Sequence, residues 1–127
     1  MSKKTNLSDG EWKLMKLLWQ KSPRTVANLV DELKSDTAWT KGTVFMMLTR
    51  MSEKNIVHFD DSGRCKLYYP SVKKEDAVLY ETDTFLNKVY DGSVGLMVAS
   101  MAGQNKLSKD DIAELYAILE KAEKEAE

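Results

Sequence analysis

Along this chain the periodicity changes from helical to strand-like in one place only. Ile56-Val57-His58-Phe59 and Arg64-Cys65-Lys66-Leu67-Tyr68-Tyr69 are rich in β-branched and aromatic residues. Between them Asp60-Asp61-Ser62-Gly63 is a turn cluster that closes a hairpin. Val57 and Phe59 can share a face, as can Cys65, Leu67 and Tyr69, and Pro70 ends the second strand. The rest reads as helix, which predicts a mainly α fold with a small β-hairpin.

What precedes the hairpin narrows the choice. Ser8 to Gln20 opens with a capping box in which Ser8 and Glu11 satisfy each other's backbone. Trp12, Leu14, Met15, Leu17, Leu18 and Trp19 give that helix a wide apolar face, so its tryptophans read as packing residues. Lys21-Ser22-Pro23-Arg24 breaks the pattern, because proline disfavours helix at the residue before it. Thr25 can cap a second helix, Val26 to Lys34, with Val26, Leu29, Val30 and Leu33 inward. A short polar stretch and Trp39 lead to Thr40, the cap of a third helix reaching Asn55. There Val44, Met47, Leu48 and Met51 form one side, and Thr43, Met46, Arg50 and Glu53 the other. Three helices and then a hairpin with Arg64 and Lys66 on it is the order of a winged helix-turn-helix.

Charge divides the chain in the same sense. Residues 1–73 carry 13 Lys and Arg against 8 Asp and Glu, a balance of +5, whereas residues 74–127 carry 6 against 12, a balance of −6. Two modules are therefore expected, 1–73 and 74–127, and only the first would approach a polyanion. With 43% hydrophobic and 31% charged residues the chain is neither disordered nor membrane-embedded. No apolar run reaches bilayer length and residues 1–6 lack the apolar core of a secretory signal, so a cytoplasmic location is expected, with no membrane contact. The single cysteine, Cys65, fits a reducing compartment.

Residues 74–127 read as all helix. Glu75 to Tyr90 ends at Asp91-Gly92, Ser93 can cap Val94 to Ala102, and Leu107-Ser108 with Asp111 can start a last helix. Val94, Leu96, Met97, Val98 and Met101 make the middle helix apolar nearly all round, and Ile112, Leu115, Leu119 and Ala122 recur at near-heptad spacing in the last. Such a helix must be buried on most sides, and some fifty residues offer little to bury it under. A second copy of the same segment is the natural cover, giving a two-fold interface through Val94, Leu96, Met97, Val98, Met101, Ile112, Leu115 and Leu119. The competing arrangement packs these helices back on the first half as one monomeric core.

The residues carry no convincing active site. His58 lies in a predicted strand without identifiable partners, and His58 with Cys65 is too few for a metal site. No phosphate-cradling glycine loop occurs. Neither an enzyme nor a bound cofactor is expected. DNA binding has better support. Arg50 can donate two hydrogen bonds to a guanine edge and Thr43 can bond or touch a thymine methyl, while Phe45 and Met46 can press on thymine methyls. The competing role for Arg50 is a salt bridge to Glu53 or a neighbouring helix. Lys41, Lys54, Arg64 and Lys66 would bind phosphate.

Taken in order, LSDGEWKLMKLLWQKSP, TVANLVDELKSDTAWTKGTV, LTRMSEKNIV, GRCKLYYP, FLNKVYDGSVGLMV and LSKDDIAELYAILEKAE resemble the penicillinase-repressor (BlaI/MecI/CopY) transcriptional regulators. The resemblance covers nearly the whole chain. It implies a winged helix-turn-helix domain followed by an α-helical dimerisation domain, and a homodimeric repressor of a palindromic double-stranded DNA operator. The base-reading helix would be residues 40–55 and the wing residues 56–69. The family's polar contacts would fall at Gly42, Thr43, Met46 and Arg50, of which Gly42 and Met46 stand where basic or polar side chains are more common. Members controlled by a membrane sensor-protease are cut at an Asn-Phe bond; the corresponding Ala99-Ser100 does not match. The C-terminal cysteine cluster of the copper-responsive branch has no counterpart. Two rival readings stand beside this one. The first is a winged-helix adaptor that binds protein and not DNA, favoured by Phe45 and Met46. The second is a regulator with a small-molecule pocket at a dimer interface, to which Met97 and Met101 would belong.

Overall fold

The helices begin where short polar side chains can satisfy orphan amides. In the computed structural model, which describes residues 6–126, α1 (Asp9–Gln20) starts at Ser8. The Ser8 hydroxyl accepts from the Glu11 amide at 3.2 Å, and Glu11 Oε1 accepts from the Ser8 amide at 2.9 Å. Thr25 caps α2 (Val26–Leu33) through the Asn28 amide, and Thr40 caps α3 (Lys41–Glu53) through the Thr43 amide, each at 3.1 Å. After α3, Asn55 takes a left-handed conformation with φ of 63°, which asparagine tolerates better than most residues, and the chain turns into the hairpin.

β1 (Val57–Asp60) pairs antiparallel with β2 (Leu67–Pro70), Val57 facing Pro70 and Phe59 facing Tyr68. The strands are shorter at the tip than their composition predicts. Asp60 Oδ1 accepts from the Ser62 amide at 2.9 Å, bending the chain early, so Arg64, Cys65 and Lys66 lie in the turn and not in β2. Pro70 is the last paired residue, at the end of the ladder where its missing N–H costs least. The inward residue of β2 is Tyr68, 1% exposed, while Leu67 and Tyr69 share the opposite face and Cys65 lies outside the strand. The register places Tyr68 on the face of Val57 and Phe59, while its amide and carbonyl pair with Arg24 at 2.9 and 3.2 Å.

The chain divides into two compact units, Met1–Thr82 and Asp83–Glu127, and the division falls inside α4 (Lys74–Tyr90). The start of α4 belongs to the first unit because Ala77 is fully buried in the same core as Val72. That core also joins Leu14, Met15 and Leu18 of α1, Leu29 of α2, Val44, Leu48 and Met51 of α3, and Ile56, Val57 and Tyr68 of the hairpin. The α1 tryptophans pack as expected, with rings edge to face at 5.7 Å, and Trp19 Nε1 donates to the Val72 carbonyl at 2.9 Å.

In the second unit, Ser93 caps α5 (Val94–Gly103) through the Leu96 amide at 3.1 Å. A second capping box, Ser108 with Asp111, opens α6 (Lys109–Glu125). None of the residues of α5 or α6 is buried in the single chain. Val94, Leu96, Met101, Ile112, Tyr116, Ile118 and Leu119 are all exposed. Among the described residues, no helix is long and apolar enough to cross a membrane.

Candidate nucleic-acid interface

The outer face of α3 is held out by the packing of its inner one. Val44, Leu48 and Met51 are completely buried, which turns Thr43, Met46, Arg50 and Glu53 to solvent on the opposite side. At the start of the helix, Thr40 Oγ1 donates to Thr43 Oγ1 at 3.1 Å, leaving the Thr43 hydroxyl proton free to donate outward. Among the described residues, the Arg50 guanidinium pairs with neither Glu53 nor any other carboxylate. The salt-bridge role for Arg50 is therefore not the one observed. Nothing in the fold demands glycine at 42: an added Cβ would meet only Thr40 Oγ1, at an ordinary 3.7 Å.

Several contacts fix this helix in place. Gly10 lets α1 pass close to α3, since a Cβ there would come within 3.0 Å of Met47 Cε and 3.4 Å of the Trp39 ring. Lys13 pairs with Asp36 in the turn between α2 and α3. Glu11 uses its second carboxylate oxygen to accept from Lys54 Nζ at 3.0 Å. Glu11 is buried, so Lys54 first serves to neutralise it, and its ammonium is not the free cation that the sequence suggests.

Arg24, 9% exposed, is the residue that sequence reasoning overlooked. Its Nε donates to the carbonyls of Leu17 at 3.0 Å and Lys21 at 2.8 Å, and Nη1 donates to Asn28 Oδ1 at 2.8 Å. One guanidinium thereby satisfies the C-terminal end of α1 and grips α2, while its backbone pairs with Tyr68. The only local signal for it was its place between a proline and a helix cap.

On the wing side, Arg64 is exposed in the turn and Lys66 is partly covered. The Lys66 ammonium lies 4.2 Å from the centre of the Phe59 ring and 5.2 Å from that of Phe45. Lys41, Phe45, Cys65 and Lys66 line an open groove of about 390 Å³ between the helix starts and the hairpin turn. His58 is exposed on the wing, its Nδ1 2.6 Å from Ser71 Oγ and its ring stacked on Tyr69 at 5.2 Å. Hydrogen bonds from the Ser62 hydroxyl and amide hold the Asp60 carboxyl below its usual value, and burial pushes the Tyr68 phenol above its own. Among the described residues, no cluster of His, Cys, Asp and Glu is placed to hold a metal ion. The first unit thus presents a helix face carrying Thr43, Met46 and Arg50 beside a turn carrying Arg64 and Lys66.

The family model described as "Penicillinase repressor" matches residues 7–121. The chain belongs to the penicillinase repressor family. Within that family it is 32% identical over 120 residues to the penicillinase repressor of Bacillus licheniformis, covering 94% of each chain. It is 30% identical over 122 residues to the methicillin resistance regulatory protein MecI of Staphylococcus aureus strain N315, covering 95% of this chain and 99% of that one. Among solved structures, it is similar to the DNA-binding domain of the repressor BlaI at 29% identity and a TM-score of 0.51, covering 60% of this chain and 93% of that chain. The Bacillus licheniformis BlaI monomeric form in complex with the blaP half-operator matches with the same identity, coverage and TM-score. As a member of the penicillinase repressor family this chain is a DNA-binding transcriptional repressor and not an enzyme, and the DNA-free adaptor reading is not supported. The expected fold, three helices and a wing followed by further helices, is the fold found.

Proposed function

We propose that this repressor works in the cytoplasm as a homodimer on a palindromic operator, each copy laying α3 in a major groove with its wing on the flanking backbone. The observation that carries this reading is the division of α3. Its inner face is sealed in the core, and its outer face offers Thr43, Met46 and an unpaired Arg50. In these roles Arg50 donates to a guanine edge, Thr43 bonds or touches a thymine, and Met46 rests on a thymine methyl. Lys41 at the start of α3 and Arg64 and Lys66 on the wing bind phosphate, with Lys54 a weaker contributor because Glu11 holds it. Gly42, free of steric demand in the fold, lets the sugar-phosphate chain come close to the first turn of the helix.

The dimer reading rests on the second unit. Val94, Leu96, Met101, Ile112 and Leu119 are exposed, and Met97, Val98 and Leu115 only partly covered, on helices with no buried residue in one chain. A second copy covers such a face with itself, and the two-fold axis that results matches a palindrome. On this reading residues 1–73 bind DNA and residues 74–127 dimerise.

Selecting bound sites from random duplexes tests the whole scheme. An inverted repeat is expected, with half-site centres about 34 Å apart or a multiple of that distance. Recovery of single, unrepeated half-sites would refute the two-fold arrangement.

A further inference from the structure

Two aromatic rings from different elements face one ammonium. Phe45 projects from α3 and Phe59 from β1, and Lys66, at the end of the wing turn, places its Nζ 5.2 Å and 4.2 Å from their ring centres. Both lie inside the roughly 6 Å reach over which a cation is drawn to a ring face. Neither ring is buried, at 44% and 38% exposure, so core packing does not account for the pair. Phe45 stands in a helical row with Thr49, whose hydroxyl donates to the Phe45 carbonyl at 2.9 Å, while Met46 and Arg50 form the next row. Phe59 in turn packs on the buried Tyr68 ring at 5.8 Å, and Tyr68 is tied to Arg24. A continuous set of contacts therefore runs from α3 through Lys66 to the root of the wing.

We propose that Phe45 and Phe59 clamp the Lys66 side chain, fixing the wing at one angle to α3 and holding the ammonium ready for phosphate. The proposal rests on the reading of α3 and the wing as DNA contacts. A cation over a ring face keeps its charge, so Lys66 still attracts phosphate. Its long side chain is ordered before DNA arrives, and the entropy lost on binding is smaller than for a free lysine. Phe45 becomes a positioning residue that aims the wing, and base reading is left to the Thr43, Met46 and Arg50 rows.

The test has one arm without DNA and one with it, both on the full chain. In the free protein, ring currents should move the Lys66 Hε resonances upfield of those of exposed lysines, and Phe59→Leu should return them. Resonances at the exposed-lysine position in the wild type would overturn the clamp, with no variant required. For binding, affinity for a labelled random-sequence duplex is followed across a salt series. One lost phosphate contact lowers the slope of log affinity against log salt by about 0.9. Phe59→Leu removes no charge, so it should keep the slope, yet it should weaken binding at every salt concentration, and in the Lys66→Gln background it should add nothing further. Phe59→Tyr and Lys66→Arg, which keep a ring and a cation, should match the wild type. A lowered slope for Lys66→Gln with wild-type affinity for Phe59→Leu at every salt concentration would overturn the clamp and leave the DNA reading intact. An unchanged slope for Lys66→Gln would overturn the Lys66 phosphate contact itself.

Discussion

The two units of this repressor dispose of their apolar side chains in opposite ways. Met1–Thr82 closes a core within itself, with Leu14, Met15, Leu29, Val44, Leu48 and Met51 at 0% exposure, and turns the helix face of Thr43, Met46 and Arg50 outward. Asp83–Glu127 holds its apolar side chains at the surface, where Leu119 is 62% exposed and Leu96 58%. The first has a closed core and can present its outer helix face to another kind of molecule. The second leaves its apolar side chains in water as a single copy, at a cost of roughly 25 cal/mol for each Å² of apolar surface. The proposed two-fold reading of an operator uses one region of each kind.

The largest effect should come from disturbing the closed core. Leu48→Ala is expected to cost about 2–5 kcal/mol in the unfolding of the first unit, measured by denaturant titration, and the loss should not depend on protein concentration. Leu119→Asp should do the reverse. It should leave the first unit's stability alone and weaken dimerisation by about 2–3 kcal/mol, read from the concentration dependence of sedimentation. If Leu119→Asp instead destabilised a monomer, the second unit would be closing its own core and the contrast would fail.

Arg50→Ala should weaken binding to the selected operator by about 1–3 kcal/mol and relax the preference at one base pair, with little effect on folding. Lys54→Ala sharpens the distinction between reader and support. It strips the buried Glu11 carboxylate of a charged partner and should cost about 1–3 kcal/mol of stability, while lowering the salt slope of DNA binding less than Lys41→Ala does. Equal slopes for the two lysine variants would return Lys54 to the phosphate contacts.

The smallest effect appears in acid and should be shared by both units. Asp60 is held below the ordinary carboxylate value of 3.8 by the Ser62 hydroxyl and amide, and Asp111 by the Ser108 amide and hydroxyl. A lowered value means that the folded state favours the ionised form. The stabilisation is therefore complete above the ordinary value and lost as pH falls through the folded one. Amide exchange at Ser62 and Ser108 should quicken over that range, loosening the wing turn and the start of α6 alike. Protection unchanged well below pH 3.8 would show that neither carboxylate holds its turn.

Much of this was legible because its causes are local. The caps at Ser8, Thr25, Thr40, Ser93 and Ser108 depend on neighbours three residues away, and each was readable in the sequence. So was the sealed side of α3, because helical spacing alone puts Val44, Leu48 and Met51 together. What escaped depends on contacts made across the fold. Which face of β2 turns inward is set by the core beneath it, where Tyr68 also pairs through its backbone with Arg24, far earlier in the chain. Arg24 itself gave no sign, since two of its partners are backbone carbonyls, which every sequence possesses, and the others meet it only in the folded chain. Lys54 and Lys66 looked alike as surface cations. Only the folded chain brings Glu11 to one and two phenylalanine rings to the other.

On the proposed reading, a second copy covers the apolar face of Asp83–Glu127 and so brings two reading helices to one operator. Sedimentation equilibrium of the full chain at micromolar concentration tests it most directly. A mass of twice 14.5 kDa, falling toward 14.5 kDa in Leu119→Asp, is the expected result. A mass of 14.5 kDa across the concentration range, with affinity for the inverted repeat no greater than for a single half-site, would contradict it.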